Sequence, residues 1–376
     1  MAGNRCSAPF YSKVTVAIDC RWIDSSGIGV YLRECLPFFL DSAHSFVLLG
    51  NSEKLSCIVS GKDNAEILDC NVKPFSAAEL FFFPRTLLKK INSADLYYSP
   101  YFNIPGFLRI PVFTTIHDII FPDMPELVSR TGLALRMWFY RRAFRRSAKI
   151  FTVSEFSKSR IEHYSGNNVP VTITHSAIQG HLLKKNSLPE KNKTILFIGN
   201  IKKHKGLNVL LNAFFEARRE GLEYRLVIVG SRKNFRSKET GVSPGEQDSV
   251  EFIGFLSGEK LTELLAASSL LVQPSLYEGF CLPPLEALVS GTPVLISDIP
   301  VLREIYSEYP QKTLGRKFPV NWFKAGDVKD LKEKLLLLLK NKAANSIDPI
   351  DLHPELEKLY TFEKTSRTIL DSLEET

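Results

Sequence analysis

The sequence predicts an α/β protein built from two doubly wound, Rossmann-like domains facing a cleft. Three observations predict it. The chain has 376 residues, more than one ordinary core accommodates. Short apolar strands alternate with helical patterns in both halves, which calls for parallel sheets with right-handed crossovers. A polar, aperiodic stretch, "KKNSLPEKNK" from Lys184, interrupts the alternation once and reads as a linker. The first domain is therefore expected over residues 1–183.

In the first half, "KVTVAIDC" (13–20) reads as a buried strand, followed by the turn "IDSSGIG" and a helix from about Val30. The β-rich runs "ADLYYS" (94–99), "PVFTTIHD" (111–118) and "AKIFTVS" (148–154) follow. In the second half come "TILFIGN", a helix over 206–219, "YRLVIVG", "SVEFIG", a helix over 258–267, "SLLVQPS", a helix from Pro284, and "PVLISD". Folds of this kind bind ligands at the carboxyl ends of their strands.

The stretch Ser275–Leu295 lies at such an end. There Glu278 and Glu286 flank a Gly/Pro-bearing loop that runs into a helix. Pro284 suits a first helical turn and Gly291 a stop. The N–H groups of Phe280, Cys281 and Leu282, with the helix dipole, favour a phosphate. Two ionised acids repel a bare anion but accept hydrogen bonds from vicinal diols, each worth about 1.5–3 kcal/mol. A nucleotide sugar, with a diphosphate between a ribose and a hexose, satisfies both demands. A helix-capping Glu286 beside a surface Glu278 fits the spacing equally well.

Composition excludes little. The 48 Lys+Arg against 41 Asp+Glu give +7, a balance that a solvated surface also produces. The six cysteines have no CxxC or metal-ligand spacing, which suits a reducing compartment. The amino terminus lacks an apolar signal core, and Leu335–Leu339 is a fraction of a membrane span. The expectation is a soluble, cytoplasmic protein without a nucleic-acid partner. "GIG" at residues 27–29 lacks the full dinucleotide fingerprint, so no nicotinamide cofactor is expected, and Gly29 is expected to let backbone approach a donor closely.

"EGFCLPPLE" resembles the E-x7-E signature of the retaining glycosyltransferases of family 4, which have the two-domain GT-B fold. The likeness runs in order through "IDCRWIDSSGIGVYLRE", "LYYSPYF", "TTIHDIIFP", "FTVSEFSKSRI", "FIGNIKKHKGLNVLLNAF", "LVIVGS" and "VEFIGFLSGEKLTELLAASSLLVQPSLYEGF", the second to fourth being similar to the mannosyltransferase-like branch. "TFEKTSRTILDSLEE" resembles the terminal helix, which in the family returns to the first domain. The resemblance implies a donor domain at 184–358 and a returning helix at 359–376. It implies hexose transfer, mannose from GDP-mannose favoured over a UDP-sugar, to a glycan or lipid-linked acceptor in surface polysaccharide or glycolipid assembly.

By resemblance Lys205 and Asn200 meet the donor diphosphate, Phe255 and Leu256 the base through backbone groups, Glu286 the ribose, and Glu278 and His117 the transferred sugar. His117 is expected at a strand end, projecting into the cleft, and meeting Glu278 only when the domains close. Arg232 and Lys233 would add charge at the rim. The chain departs from the family pattern at Cys281, where glycine is usual, and at His204, where arginine is usual; at Asn200, where arginine or asparagine is usual, it also lacks a fixed positive charge. The stretch after Glu304 also differs. With no D-x-D motif, no cofactor or metal is expected. A GT-B epimerase or phosphorylase, or a nucleotide-sugar-binding pseudoenzyme, would share these features.

The segment 130–149 reads as one basic amphipathic helix, with an apolar stripe of Leu133, Met137, Tyr140 and Phe144. Its row of Arg141, Arg145 and Lys149 suits an anionic membrane surface, as do the three phenylalanines of "ELFFFPRTLLKK" (79–90).

Overall fold

The computed structural model describes residues 13–183, 189–230, 247–256, 258–340 and 352–374. Arg232 and Lys233 lie outside the described residues. Two parallel sheets are present. The first contains β1 (Thr15–Asp19), β2 (Ser45–Gly50), β3 (Ala65–Asp69), β4 (Leu96–Ser99), β5 (Val112–Thr115), β6 (Lys149–Thr152) and β7 (Val171–Ile173), in the order β3-β2-β1-β4-β5-β6-β7. The second contains β8 (Thr194–Ile198), β9 (Arg225–Val229), β10 (Val250–Gly254), β11 (Leu270–Gln273), β12 (Val294–Asp298) and β13 (Asn321–Lys324), in the order β10-β9-β8-β11-β12-β13.

Both orders reverse direction beside the first strand of the sheet, between β1 and β4 and between β8 and β11. At such a switch point the loops after two neighbouring strands diverge and open a crevice. Central strands are buried on both faces: Val16–Asp19 and Leu270–Gln273 are buried throughout. That explains their continuous apolar runs.

Several sequence boundaries move. The first helix spans Ser26–Leu40, starting before Val30. His117 lies beyond β5, in the loop that follows it. The basic helix ends at Arg146, where Ser147 bonds back to the Ala143 carbonyl, and Lys149 opens β6. Arg141, Arg145 and Lys149 therefore do not form one helical row. Of the expected linker, Lys191 is exposed but anchored, its ammonium donating to the Ala266 carbonyl and Thr292.

The helix Phe362–Glu374 packs on helix Ser26–Leu40 of the first domain. Phe362, Ile369 and Leu373 join the core formed by Val16, Leu32, Cys35 and Phe113. Thr365 donates to the Thr174 carbonyl, fastening the helix to the loop after β7. Just upstream, Leu356, Leu359 and Tyr360 remain in the second domain's core. Tyr360 and Phe362 thus belong to different cores although only one residue separates them.

The seam between the domains combines apolar packing, Val153 and Phe156 joining the second domain's core, with specific polar contacts. The Glu304 carboxylate accepts from the N–H groups of Glu155 (2.7 Å) and Phe156 (2.8 Å), capping helix Glu155–Ser165 from the other domain. Glu304 itself opens a π-helical stretch, Glu304–Glu308, between Pro300–Arg303 and Tyr309–Leu314. This is the segment that departs from the family pattern. Asp123 receives a forked pair from Arg160 and a hydrogen bond from Tyr277 of the second domain.

Ile369 is 1% exposed within the first domain's core. Ile369→Ala should cost about 2–5 kcal/mol, as removal of buried branched chains does, read as a lower denaturation midpoint of that domain. An unchanged midpoint would mean that the returning helix adds nothing to its stability.

Candidate active site

Both switch-point loops of the second sheet converge on one ion pair. After β8, a tight turn at Lys203–Lys205 ends in Gly206, at φ +67°. A β-carbon on Gly206 would lie 1.9 Å from the Pro274 carbonyl oxygen, so only glycine lets the β8 loop rest on the β11 loop. Leu276 N–H donates to the His204 carbonyl at 2.7 Å, closing the same contact. Lys205 is thereby aimed at Glu278, and its ammonium reaches both carboxylate oxygens at 2.7 and 2.8 Å.

Glu278 is held from its other side as well. Gln273 donates to the Ser275 hydroxyl, which donates to Glu278 Oε1 at 2.7 Å. Burial alone would raise the Glu278 carboxyl, but the Lys205 ammonium and the Ser275 hydroxyl outweigh it and hold it below the usual range. For Lys205 the same carboxylate outweighs burial and keeps the ammonium charged. Burial pushes His204 down to about 4, with Lys205 adding to the effect, so its ring is neutral at pH 7.

Glu286 differs. It is buried in the first turn of helix Pro283–Val289, and burial pushes its carboxyl up to about 7. The two acids therefore differ: Lys205 favours the charged form of Glu278, whereas burial favours the protonated form of Glu286. A ligand that donates hydroxyl hydrogens to Glu286 would draw it toward the carboxylate.

Cys281 lies between them at φ +79°, a left-handed conformation costly for any residue with a β-carbon. It is held there by the Tyr306 hydroxyl, which donates to the Cys281 carbonyl at 2.5 Å from a fully buried ring. The loop keeps the shape that glycine would adopt freely, with a thiol added beside Glu278. Phe280 is buried against His175 and Tyr360, and Leu282 is partly buried against the same core.

The first domain already touches this loop. A β-carbon on Gly279 would lie 2.3 Å from the His117 carbonyl oxygen, and Ser157 donates to that same oxygen. Ser154 donates to the Gly279 carbonyl at 2.8 Å. The loop that carries Glu278 thus rests on the His117 backbone through Gly279. The His117 ring is not free in the cleft. Its Nε2 is 2.9 Å from the Pro100 carbonyl, and it stands edge-on to Tyr31 with centroids 5.0 Å apart. Burial lowers it to about 4, so it is neutral. Asp118, next to it, is raised by burial and by the nearby Glu278 charge, against the Ile120 N–H that donates to it.

The remaining expected residues scatter. Asn200 is exposed in the β8 loop. Phe255 is 72% exposed beyond β10 and Leu256 packs on the second core, so only Leu256 is a core residue. Gly29 sits inside a helix, where a β-carbon would meet the Ile23 carbonyl at 2.6 Å, so internal packing, rather than a ligand, explains its size. Gln273, Ser275, Ser154 and Tyr306 support the site without having been singled out. Only Ser275, three residues before Glu278, left a usable spacing.

The family model "Glycosyl transferases group 1" matches residues 180–349. The O-antigen chain mannosyltransferase B of Escherichia coli is 29% identical over 234 residues, covering 57% of this chain and 59% of that one. The MMP alpha-(1->4)-mannosyltransferase of Mycolicibacterium hassiacum is 27% identical over 208 residues, covering 53% and 51%. The matches thus span between half and three-fifths of these relatives' lengths. Among solved structures, Anabaena HepE in complex with UDP and glucose aligns with TM-score 0.73 at 15% identity, covering 96% of this chain and 100% of that one. Sucrose-phosphate synthase from Thermosynechococcus elongatus gives 0.72, also at 15% identity, covering 96% and 99%. These likenesses establish the GT-B fold.

Removing Lys205 would strand a carboxylate that is only 8% exposed. Lys205→Met should destabilise the second domain by about 3 kcal/mol, the low end for a broken buried pair because Lys205 keeps some exposure. Combining it with Glu278→Gln should recover much of the loss in a denaturant double-mutant cycle. Additive losses would mean the pair is not coupled.

Proposed function

Since residues 180–349 carry the group 1 glycosyl transferase domain and the whole chain has the GT-B fold, with mannosyltransferases among its relatives, we propose that this protein transfers a hexose from a nucleotide sugar. The observation that carries the reading is the Lys205–Glu278 pair at the switch point of the second sheet, with Glu286 behind it. A charged donor is met by Lys205, and its two diols by Glu278 and Glu286. We favour mannose from GDP-mannose and an acceptor that is a glycan or a lipid-linked saccharide, because the relatives named above are mannosyltransferases.

The reaction we propose keeps the anomeric configuration. The acceptor oxygen bonds to the anomeric carbon on the face from which the diphosphate leaves. The bond from that carbon to the diphosphate oxygen breaks, and the acceptor's proton passes to that oxygen. Glu278, ionised and close by, stabilises the cationic sugar electrostatically. Its partner Lys205 can follow the charge onto the leaving diphosphate. Asp118 is the other acid near Glu278, and burial raises it, which disfavours a carboxylate nucleophile from the first domain. The phosphate charge is met by Lys205 without a metal ion. The neutral, buried His117 braces the Glu278 loop, its ring against Pro100 and its carbonyl against Gly279.

A membrane contact is also proposed, on a surface that keeps Arg141 and Arg145 of the row read in the sequence, drops Lys149 and adds exposed rings. Phe81, Phe82, Phe107, Leu135 and Trp138 are all exposed. The loop bearing Phe107 is tied to its neighbours through the Ile104, Pro105 and Leu108 carbonyls, which accept from Arg142 and Arg146, and through Asn92. Helix Arg130–Arg146 contains no acid, and Arg141 and Arg145 point outward. Exposed rings rimmed by arginine match an anionic bilayer at about 1 kcal/mol per cation. No described helix is long and apolar enough to cross a membrane.

A thermal-shift panel of GDP- and UDP-hexoses tests the donor, followed by turnover in excess chelator. Glu278→Gln should lower kcat on the order of 10²–10³-fold with little change in nucleoside diphosphate affinity. Absence of any nucleotide shift, or near-normal turnover in the variant, would overturn the assignment. Complete loss in chelator, restored by magnesium, would overturn metal independence alone.

Sedimentation with vesicles containing phosphatidylglycerol tests the membrane face. Phe81→Ser with Phe82→Ser, or Arg141→Glu with Arg145→Glu, should each release the protein into the supernatant. Failure of the unaltered protein to sediment would refute the contact.

A further inference from the structure

Beside the ion pair lies a cavity of about 560 Å³ to which both domains contribute. The first domain supplies Tyr101, Phe121, Leu127 and Arg136, and Asp118 at the edge nearest the reaction centre. The second supplies Lys202, Lys203 and His204 from the β8 loop. The volume suits one sugar-sized ligand and its substituent.

The tight turn that aims Lys205 at Glu278 brings Lys202 and Lys203 to the lining of this cavity instead. Across from them the Arg136 guanidinium lies over the Phe121 ring at 4.4 Å and gives one hydrogen bond to the Gly132 carbonyl. That leaves most of its donor fork open. Among the described residues none of these three cations is paired with a carboxylate. Asp118, the one acid on the lining, already accepts from the Ile120 N–H. Three cations from two domains and a single acid around an aromatic wall form a poor site for a neutral saccharide. They form a good one for an anion attached to an apolar or sugar body.

Resting on the glycosyl-transfer reading, we propose that this cavity is the acceptor subsite and that the acceptor carries a phosphate or diphosphate group, gripped by Arg136 from one domain and by Lys202 and Lys203 from the other. Tyr101 and Phe121 then pack against the rest of the acceptor, and its hydroxyl reaches the centre past Asp118. The same chemistry arises from a lipid phosphate or from a phosphorylated sugar. Binding the anion also draws the two domains together through its own charge.

The test uses the full chain, with GDP or UDP saturating the donor site, titrated calorimetrically with octyl phosphate, inorganic phosphate and octyl glucoside. At least one phosphate probe should bind in the presence of nucleotide, and octyl glucoside should bind at least tenfold more weakly. Arg136→Gln should weaken phosphate binding at least tenfold while nucleotide affinity changes less than threefold. The pair Lys202→Gln and Lys203→Gln, at exposed positions where folding is not at stake, should do the same. Octyl phosphate binding alone supports a lipid source; equal binding of inorganic phosphate supports a soluble phosphorylated acceptor. No phosphate binding, equal binding of octyl glucoside, or full phosphate affinity in both variants overturns the proposal. If nucleotide does not bind at all, the donor reading fails separately, and the phosphate titrations still decide whether the cavity takes an anion.

Discussion

Lys205 reaches Glu278 because two backbones touch. The β8 and β11 loops meet at Gly206, where no β-carbon fits against the Pro274 carbonyl, and the β11 loop meets the first domain at Gly279, against the His117 carbonyl. Backbone resting on backbone leaves little room for adjustment, because protein interiors are bistable rather than continuously deformable. The charge pair, the strained Cys281 and the rim of the cavity all inherit their positions from these two contacts. An alanine at either glycine would push a whole loop, and with it every group the loop carries.

Much of the fold was legible because its central strands are buried on both faces and read as unbroken apolar runs, as in "TVAID" and "SLLVQ". The strands the sequence reading passed over are mainly those at sheet edges. β3 is half exposed, β7 has three residues and β13 mixes Asn, Trp, Phe and Lys, so none gives a clean period. β2 is buried along five of six residues, and without alternation its short run offered no sign of strand rather than helix. The overlong basic helix failed for a local reason. Its arginine periodicity continues to Lys149, but the backbone turns at Ser147 into β6.

The site was legible in its residue types and less so in its electrostatics. Glu278, Glu286 and Lys205 stand out by spacing, yet spacing cannot tell that one acid is paired and the other dry. That difference comes from Lys205, 73 positions away in the chain, and from the core around Glu286. Gln273 and Ser275 escaped notice because each looks like an ordinary polar residue at a strand end. The exposure of Phe107 and Trp138 escaped notice because isolated aromatic residues carry no periodic signal.

The returning helix has a consequence for how the chain is made. The first domain emerges from the ribosome before the second, but its core lacks Phe362, Ile369 and Leu373 until those residues follow. Between β7 and Leu373 lie about two hundred residues, roughly 10–40 s of synthesis at 5–20 residues per second. Throughout that interval the groove on helix Ser26–Leu40 is apolar and uncovered, while the second domain folds beside it. The domain begun first is therefore the one finished last. A nascent chain stalled before Phe362 would present a chaperone with a sticky groove, and a chain extended past Leu373 would close it with its own helix.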